Sequence, residues 1–240
     1  MIETIATKPY DDQRPGTSGL RKKVTHFQQP HYVENFVQSI FDSMGDCAGK
    51  TLVIGGDGRY FNREAIQRMV RVAAGNAFGR LIVGKGGLLS TPAASNLIRK
   101  NKTAGGIILS ASHNPGGPQG DFGIKFNIEN GGPAPEKVTE AIFERTRTMS
   151  RILMAKADEV DIDTIGVVWV ENTSVEIIDP VTDYQALMET LFDFEALRGL
   201  FRDGFRMRFD AMHAITGPYA KTIFEGTLGA GAGTVVNGVP

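Results

Sequence analysis

The sequence has almost no cysteine and no long apolar run. Cys47 is its only cysteine, so no intramolecular disulfide can form. The opening residues, MIETIATKPYDDQRPG, lack the apolar segment of a secretion signal. We therefore expect a reducing, cytoplasmic location, with Cys47 a bystander near a surface turn. No apolar run approaches the roughly 20 residues that span a bilayer, so membrane insertion is not expected.

The chain also has little net charge. The 26 Lys and Arg residues nearly balance 27 Asp and Glu residues, for a formal net charge of -1. This balance gives no reason to expect nucleic acid or an anionic membrane as a partner, so an anionic substrate must be held by local charges. A metal site within the chain is not predicted: His26, His31 and His213 lack ligand spacing, and Asp161 and Asp163 fit a solvated strand face better. The sequence does not indicate an oligomeric state.

Short apolar runs alternate with amphipathic segments through most of the chain. The patterns predict strands at 51–57, 81–83, 106–109, 122–127, 167–170 and 174–178, and helices at 31–44, 63–78, 91–100 and 135–148. We expect Asn62 and Thr91 to cap two of the helices, and Trp169 and Tyr184 to be packing residues. This order predicts an α/β fold with a mixed sheet covered by helices, whose ligands collect beyond the strand ends.

A smaller unit is predicted to begin near Pro180. The division gives a domain at 1–180 and a unit at 181–240, with helices at 183–191 and 194–201, a strand at 206–210, a helix after 217–218 and a strand at 234–236. At the other end, 11–23 reads as a basic loop. Either this segment is an exposed start of the chain, or it forms one side of a binding site for an anion.

The strongest chemical signal lies at 103–127, TAGGIILSASHNPGGPQGDFGIKFN. A buried strand opens into a glycine-rich loop that carries Ser112 and His113, and a return strand carries Lys125. Glycines let backbone amides approach an anion closely. A hydroxyl, an imidazole and an amine beside such a loop suit phosphoryl chemistry.

The same residues argue against acyl transfer. The surrounding sequence does not have the G-x-S-x-G form of a nucleophile elbow. Adjacent side chains on an extended segment also point apart, so we expect His113 to be poorly placed to deprotonate Ser112. Asp57 lies at the end of the strand at 51–57, and we expect it to stabilise a turn rather than to bind a metal.

Several blocks of the sequence resemble one enzyme family. The segment 111–117 resembles the phosphoserine loop of the α-D-phosphohexomutases, and the blocks 16–22, 55–60, 120–127, 130–135, 209–213 and 217–219 resemble the phosphoglucomutase branch. The resemblance covers nearly the whole chain. It implies phosphohexomutase domain 1 at 1–180, followed by an incomplete second domain of similar type at 181–240.

The resemblance implies an isomerase of carbohydrate metabolism that interconverts glucose 1-phosphate and glucose 6-phosphate through glucose 1,6-bisphosphate. Phosphorylated Ser112 would transfer the phosphoryl group and, through its phosphate, bind Mg²⁺. Lys125 would be the general acid/base or a transition-state cation, and His113 would stabilise the phosphoserine region. The residues that would bind the substrate phosphate are Thr17, Ser18 and Arg21.

The chain departs from the family pattern after the phosphoserine loop. It contains neither the D-G-D-G-D-R loop that supplies the other magnesium ligands nor the G-E-x-S loop that reads the sugar. We therefore expect the N-terminal part of such an enzyme, with little or no turnover by these 240 residues alone. Two alternatives stay open: a non-catalytic phosphoprotein or interaction module of the same fold, and a relative acting on phosphomannose or a phosphorylated amino sugar.

Overall fold

The computed structural model describes residues 1–240, with eleven strands and eight α-helices. The strands are β1 (Ile2–Ala6), β2 (Leu20–Lys23), β3 (Thr51–Gly56), β4 (Arg80–Leu88), β5 (Gly105–Leu109), β6 (Asp121–Ile128), β7 (Arg151–Ala155), β8 (Gly166–Val170), β9 (Thr173–Ile178), β10 (Phe209–Asp210) and β11 (Val235–Val236). The helices are α1 (Val24–Phe27), α2 (Tyr32–Met44), α3 (Asn62–Gly75), α4 (Thr91–Lys100), α5 (Glu136–Thr146), α6 (Thr182–Leu191), α7 (Phe194–Arg202) and α8 (Thr216–Ala220), which continues into a π-helical segment, Lys221–Thr227.

A seven-stranded mixed sheet organises the chain, as predicted. Its order is β2-β6-β5-β3-β4-β9-β8. The four central strands β5, β3, β4 and β9 run parallel, whereas β6, β2 and β8 run antiparallel to their neighbours. The carboxyl ends of β3 and β5 therefore lie side by side, which brings the segment after Gly56 next to the loop after Leu109.

Helices cover both faces of this sheet. Alternate residues of β3 point to opposite sides, so Leu52 and Ile54 join a cluster of 37 buried apolar residues that includes α2, α3 and α5. Val53 joins a second cluster of 10 residues, which contains α4 and also Tyr219 from the predicted smaller unit. The hydroxyl of Tyr219 accepts a hydrogen bond from the backbone N of Ser90 at 3.0 Å. The C-terminal segment thus packs on the sheet, and the boundary at residue 180 stays a prediction.

The two predicted helix caps are wrong. Asn62 is the first residue of α3, and Phe61 precedes it in a left-handed conformation without a side-chain cap. The buried Asn62 amide instead donates to the Gly87 carbonyl at 3.0 Å, which ties α3 to β4. The cap of α4 is Ser90, whose hydroxyl accepts from the Ala93 amide at 3.4 Å. Thr91 is already helical.

Trp169 is not a packing residue, because β8 is an edge strand. Its side chain is 66% exposed, and the neighbouring Val167 and Val168 are exposed too. Tyr184 does pack, with its ring edge-to-face against Tyr219 at a centroid distance of 5.3 Å. Asp163 is exposed as expected but lies outside any strand and pairs with Arg63.

Three short strands were absent from the sequence prediction. β1 and β7 form a separate antiparallel ribbon, in which β1 alternates between exposed and half-buried residues. β2 comes from the segment predicted as a basic loop and pairs with β6. β2 is mostly charged, and β1 and β7 are only five residues long, so none of the three gives a clear periodic pattern.

None of the helices is both long enough and apolar enough to cross a lipid bilayer.

Cys47 lies next to a turn at 48–49, as expected, and its side chain is buried. Burial raises the pKa of its thiol to about 11. Because the thiolate is the reactive form, we expect a thiol reagent to modify the native protein near pH 8 far more slowly than the protein unfolded in urea. Absorbance of the released reagent group measures both rates, and equal rates would show that Cys47 is accessible in the native state.

Candidate active site

The serine loop begins where β5 ends. Ser112 adopts a left-handed backbone conformation with a φ of 57°, which is uncommon for a residue with a Cβ atom. Its backbone N donates to the Ser110 hydroxyl at 3.0 Å, and its own side chain is exposed. The predicted separation from His113 is wrong: the Ser112 Oγ lies 3.4 Å from His113 Nδ1, since the segment is not extended.

Two glycines let the loop fold back tightly on itself. A Cβ atom on Gly120 would lie 2.4 Å from the carbonyl group of Gly116, and one on Gly123 would lie 2.3 Å from the carbonyl oxygen of Ser110. Contacts this short exclude any side chain unless the backbone moves. The glycines therefore allow close backbone approach and compact the loop beneath the serine.

The loop borders a cleft of about 500 Å³ at the carboxyl ends of β3 and β5. The cleft is lined by Ser110, Ser112, Asn114, Gly116 and Gly117 from the loop, by 57–60, by Leu89, Ser90, Thr91 and Ile108, and by Met212, His213, Ala214, Ile215 and Pro240 from the C-terminal segment. This volume accommodates a small ligand.

Sequence reasoning missed two parts of this cleft. One is Arg59, which donates hydrogen bonds to loop carbonyls and pairs with Asp57. The sequence places Arg59 after a strand end, but only the strand order, with β3 beside β5, shows that it faces the serine loop. The other is His213, which lines the cleft from the C-terminal segment and whose Nδ1 lies 2.9 Å from the Val239 carbonyl oxygen. Asp57 does stabilise its turn, since its Oδ1 accepts from the backbone N of Arg59 at 3.2 Å.

Four other predicted residues lie on β2, on β6 and in the turn before β2, outside the lining of the cleft. Arg21 is opposite Gly123 in the β2–β6 register, and Lys125 is two positions further along β6. Thr17 and Ser18 form the exposed tip of a tight turn, in which Gly16 and Gly19 exchange backbone hydrogen bonds of 3.1 and 2.9 Å. Thr17 and Lys125 also line a shallow hollow together.

Arg21 and Lys125 form an uncompensated positive pair. Burial lowers the pKa of Lys125, and the charge of Arg21 lowers it further, with no carboxylate opposing the shift. The Arg21 Nε atom is buried without a hydrogen-bond partner. An unpartnered guanidinium nitrogen beside an amine with a lowered pKa is a suitable place for an anionic group.

We expect Lys125→Met to stabilise the ligand-free protein. The pKa of Lys125 in the folded protein lies below its ordinary value of 10.5, so its charged form costs stability throughout the range below the folded pKa. That cost disappears as pH rises through the folded pKa. The variant should therefore melt at a higher temperature near pH 7, and the difference should narrow in alkaline solution. Thermal unfolding at several pH values measures it.

The matched control for this prediction is Lys137→Met. Lys137 is an exposed lysine in the first turn of α5, where substitutions have small effects. A melting temperature of Lys125→Met below that of the wild type near pH 7 would contradict the assigned burial cost.

The residues present do not fit a complete magnesium site. No group of three or more His, Cys, Asp or Glu side chains in the chain is placed to hold a metal ion. The two carboxylates nearest the loop are already engaged: Asp57 pairs with Arg59, and Asp121 pairs with Lys23 at 2.7 Å. Lys23 is also the main cause of the lowered pKa of Asp121.

Comparison with known proteins matches this fold and loop to one family. The model of the phosphoglucomutase/phosphomannomutase α/β/α domain I matches residues 12–152, which is more than half of the chain. The chain therefore belongs to the phosphoglucomutase/phosphomannomutase family, and it corresponds to the N-terminal portion of its phosphoglucomutase relatives.

The similar curated proteins are all longer than this chain. A phosphoglucomutase of Rhizobium radiobacter is 59% identical over 240 residues, covering the whole chain and 44% of that protein. A chloroplastic phosphoglucomutase of Arabidopsis thaliana is 52% identical and is covered over 39% of its length, and a cytoplasmic one of Populus tremula is 49% identical and is covered over 43%. The chain thus spans less than half the length of these relatives.

A solved structure has nearly the same fold. The open form of parafusin from Paramecium, described as an exocytosis-sensitive phosphoprotein and phosphoglucomutase, superimposes with a TM-score of 0.95. It is 46% identical, and the match covers 100% of this chain and 45% of that one. A phosphomannomutase structure from Thermus thermophilus, at 22% identity and a TM-score of 0.70, shares the fold.

Proposed function

We propose that this chain supplies the phosphoserine half of a phosphoglucomutase active site. The main support for this proposal is the exposed Ser112 hydroxyl, which lies in a tightly turned glycine loop at the edge of a ligand-sized cleft. Relatives covering the whole chain are phosphoglucomutases, which supports glucose 1-phosphate and glucose 6-phosphate as substrates. Phosphoryl transfer depends mostly on positioning and charge neutralisation, and this region provides both.

In the proposed reaction Ser112 exchanges a phosphoryl group with the sugar. When glucose 1,6-bisphosphate donates, the bond between phosphorus and Ser112 Oγ forms as the bond to the sugar oxygen breaks. The serine proton leaves and a proton reaches the sugar oxygen. In the reverse step phosphoserine donates to the other end of the sugar, so that the phosphate changes position without net hydrolysis.

The proposed roles follow from the local environments. Lys125 acts as general acid/base, because a lowered pKa makes its neutral form more accessible. Arg21, Thr17 and Ser18 bind a phosphate of the substrate, and His113 stabilises the phosphoserine region from 3.4 Å away. The Ser112 phosphate would be one Mg²⁺ ligand. Because the remaining ligands are not provided by this chain, we also propose that the 240 residues alone show little or no turnover.

The cytoplasm is the proposed location, because the only cysteine is buried and unpaired.

The test is the intact mass of the protein after incubation with glucose 1,6-bisphosphate and Mg²⁺. We expect a gain of one phosphate per chain, and loss of that phosphate when glucose 1-phosphate is then added. Mannose 1,6-bisphosphate in a parallel reaction tests the phosphomannomutase alternative, and faster labelling by the mannose compound would favour it. Both transfers should be slow, so a coupled assay of glucose 6-phosphate formation should give a rate no higher than the rate of labelling, far below that of a full-length phosphoglucomutase. A rate near that of a full-length phosphoglucomutase would contradict the proposed inactivity.

The second candidate is a phosphoprotein that does not catalyse. It is favoured by the description of the similar Paramecium protein as an exocytosis-sensitive phosphoprotein. In that case Ser112 would not be labelled by the bisphosphate, or would keep its phosphate when glucose 1-phosphate is added.

A further inference from the structure

Arg59 uses every donor of its side chain to connect the serine loop to the sheet. A guanidinium group has five N–H donors. Nε and Nη2 donate to the two Asp57 carboxylate oxygens at 2.9 Å, Nη2 also donates to the Ser112 carbonyl at 2.8 Å, and Nη1 donates to the carbonyls of Asp121 at 2.8 Å and Asn114 at 3.4 Å. Only 9% of the Arg59 side chain is exposed. It has no donor left for a substrate.

The other end of this connection is rigid. Asp57 directly follows β3, and its backbone N donates to the carbonyl of Leu109, the last residue of β5, at 3.0 Å. The carboxylate that orients Arg59 is therefore fixed to two central strands. The three carbonyls that Arg59 binds lie on both sides of the glycine run, so one side chain holds the start and the end of the loop.

We propose that Arg59, oriented by Asp57, is a positioning residue that holds Ser112 in its left-handed conformation and thereby aims its hydroxyl for phosphoryl transfer. The inference rests on the proposed function for the transfer itself. A left-handed serine persists only where its surroundings enforce it, and the carbonyl that Arg59 binds belongs to Ser112 itself.

Lysine cannot replace arginine in this role. An ammonium group has three tetrahedral donors, whereas Arg59 reaches one carboxylate and three carbonyls through a planar fork. Arg59→Lys preserves the charge and loses the geometry. Arg59→Ala leaves a space the size of a guanidinium group, which methylguanidinium from solution can occupy.

The experiment compares Arg59→Lys and Arg59→Ala with Arg63→Ala. Arg63 is a nearby arginine whose ion pair with Asp163 is exposed. Two readouts are taken on the 240-residue chain: hydrogen–deuterium exchange of the amides at 110–121, and the rate of Ser112 labelling by glucose 1,6-bisphosphate. In both Arg59 variants we expect loop exchange about tenfold faster and labelling about tenfold slower, with unchanged exchange in β3 and β5. Arg63→Ala should match the wild type.

Rescue separates positioning from general damage. Methylguanidinium, at constant ionic strength, should restore slow loop exchange and faster labelling to Arg59→Ala, and should leave Arg59→Lys unchanged. Wild-type loop exchange in the Arg59 variants, or an absence of rescue in Arg59→Ala, would overturn the inference. If Arg59→Ala does not fold, wild-type exchange in Arg59→Lys alone overturns it. If the wild type is never labelled, the proposed function fails, while exchange and rescue still decide the role of Arg59.

Discussion

Ser112→Ala is expected to abolish phosphoryl acceptance completely. The substitution removes the Ser112 Oγ atom, the proposed nucleophile at the edge of the cleft. No nearby base or cation compensates for a missing nucleophile, so the loss should be total rather than partial. Intact mass after incubation with glucose 1,6-bisphosphate measures it, and the variant should gain no phosphate.

Ser110→Ala is the matched control for this result. Ser110 also carries a hydroxyl at the cleft, but that hydroxyl accepts a hydrogen bond from the Ser112 amide at 3.0 Å. Its removal should slow labelling without changing the final amount of one phosphate per chain. Labelling of Ser112→Ala at the wild-type level would show that another residue accepts the phosphate.

Gly120→Ala is expected to disrupt the serine loop and to destabilise the fold. The new Cβ atom would lie 2.4 Å from the Gly116 carbonyl and 2.5 Å from the Pro115 carbonyl oxygen. Both are backbone atoms, which cannot rotate away as a side chain can. Forced contacts of this kind cost about 1–3 kcal/mol, and urea unfolding should show a decrease of that size in the free energy of unfolding. Labelling of Ser112 should slow as the loop shifts.

The same loop offers a tolerant position for comparison. A Cβ atom on Gly116 would meet only the Cβ of Arg59, at 3.8 Å, which is an ordinary contact. Gly116→Ala should therefore change the free energy of unfolding by less than about 0.5 kcal/mol. Equal destabilisation by the two substitutions would show that the close approach at Gly120 does not limit the loop.

The central part of the fold was readable from the sequence because it is periodic. The buried runs of β3 and β5 and the apolar face of α2 carry the strand and helix periods, and each lies where predicted to within a few residues. The short strands β1, β2 and β7 were not readable, since their pairing depends on partners far along the chain. Trp169 was misjudged for the same reason: only the strand order shows that β8 has no neighbour on one side.

The candidate site was only partly readable. Motif resemblance pointed to Ser112, Lys125 and Arg21, and their chemical roles stay predictions. The contact between Ser112 and His113 depends on the left-handed backbone conformation of Ser112, which the neighbouring residues in the sequence do not indicate. The role of Arg59 depends on three carbonyl groups that come together only after the loop has folded. Local sequence identifies the reactive groups, whereas their support is a tertiary property.

The most direct test of Ser112 as the phosphate carrier is the position of the phosphate after reaction with glucose 1,6-bisphosphate. Fragmentation mass spectrometry of the peptide that contains 103–127 distinguishes a phosphate on Ser110 from one on Ser112. The peptide that contains Thr17 and Ser18 is analysed in the same way, so that the hydroxyls of the proposed site are covered. We expect one phosphate per chain, on Ser112 alone, which leaves when glucose 1-phosphate is added. A phosphate on another residue, or an unlabelled Ser112 in correctly folded protein, would contradict it.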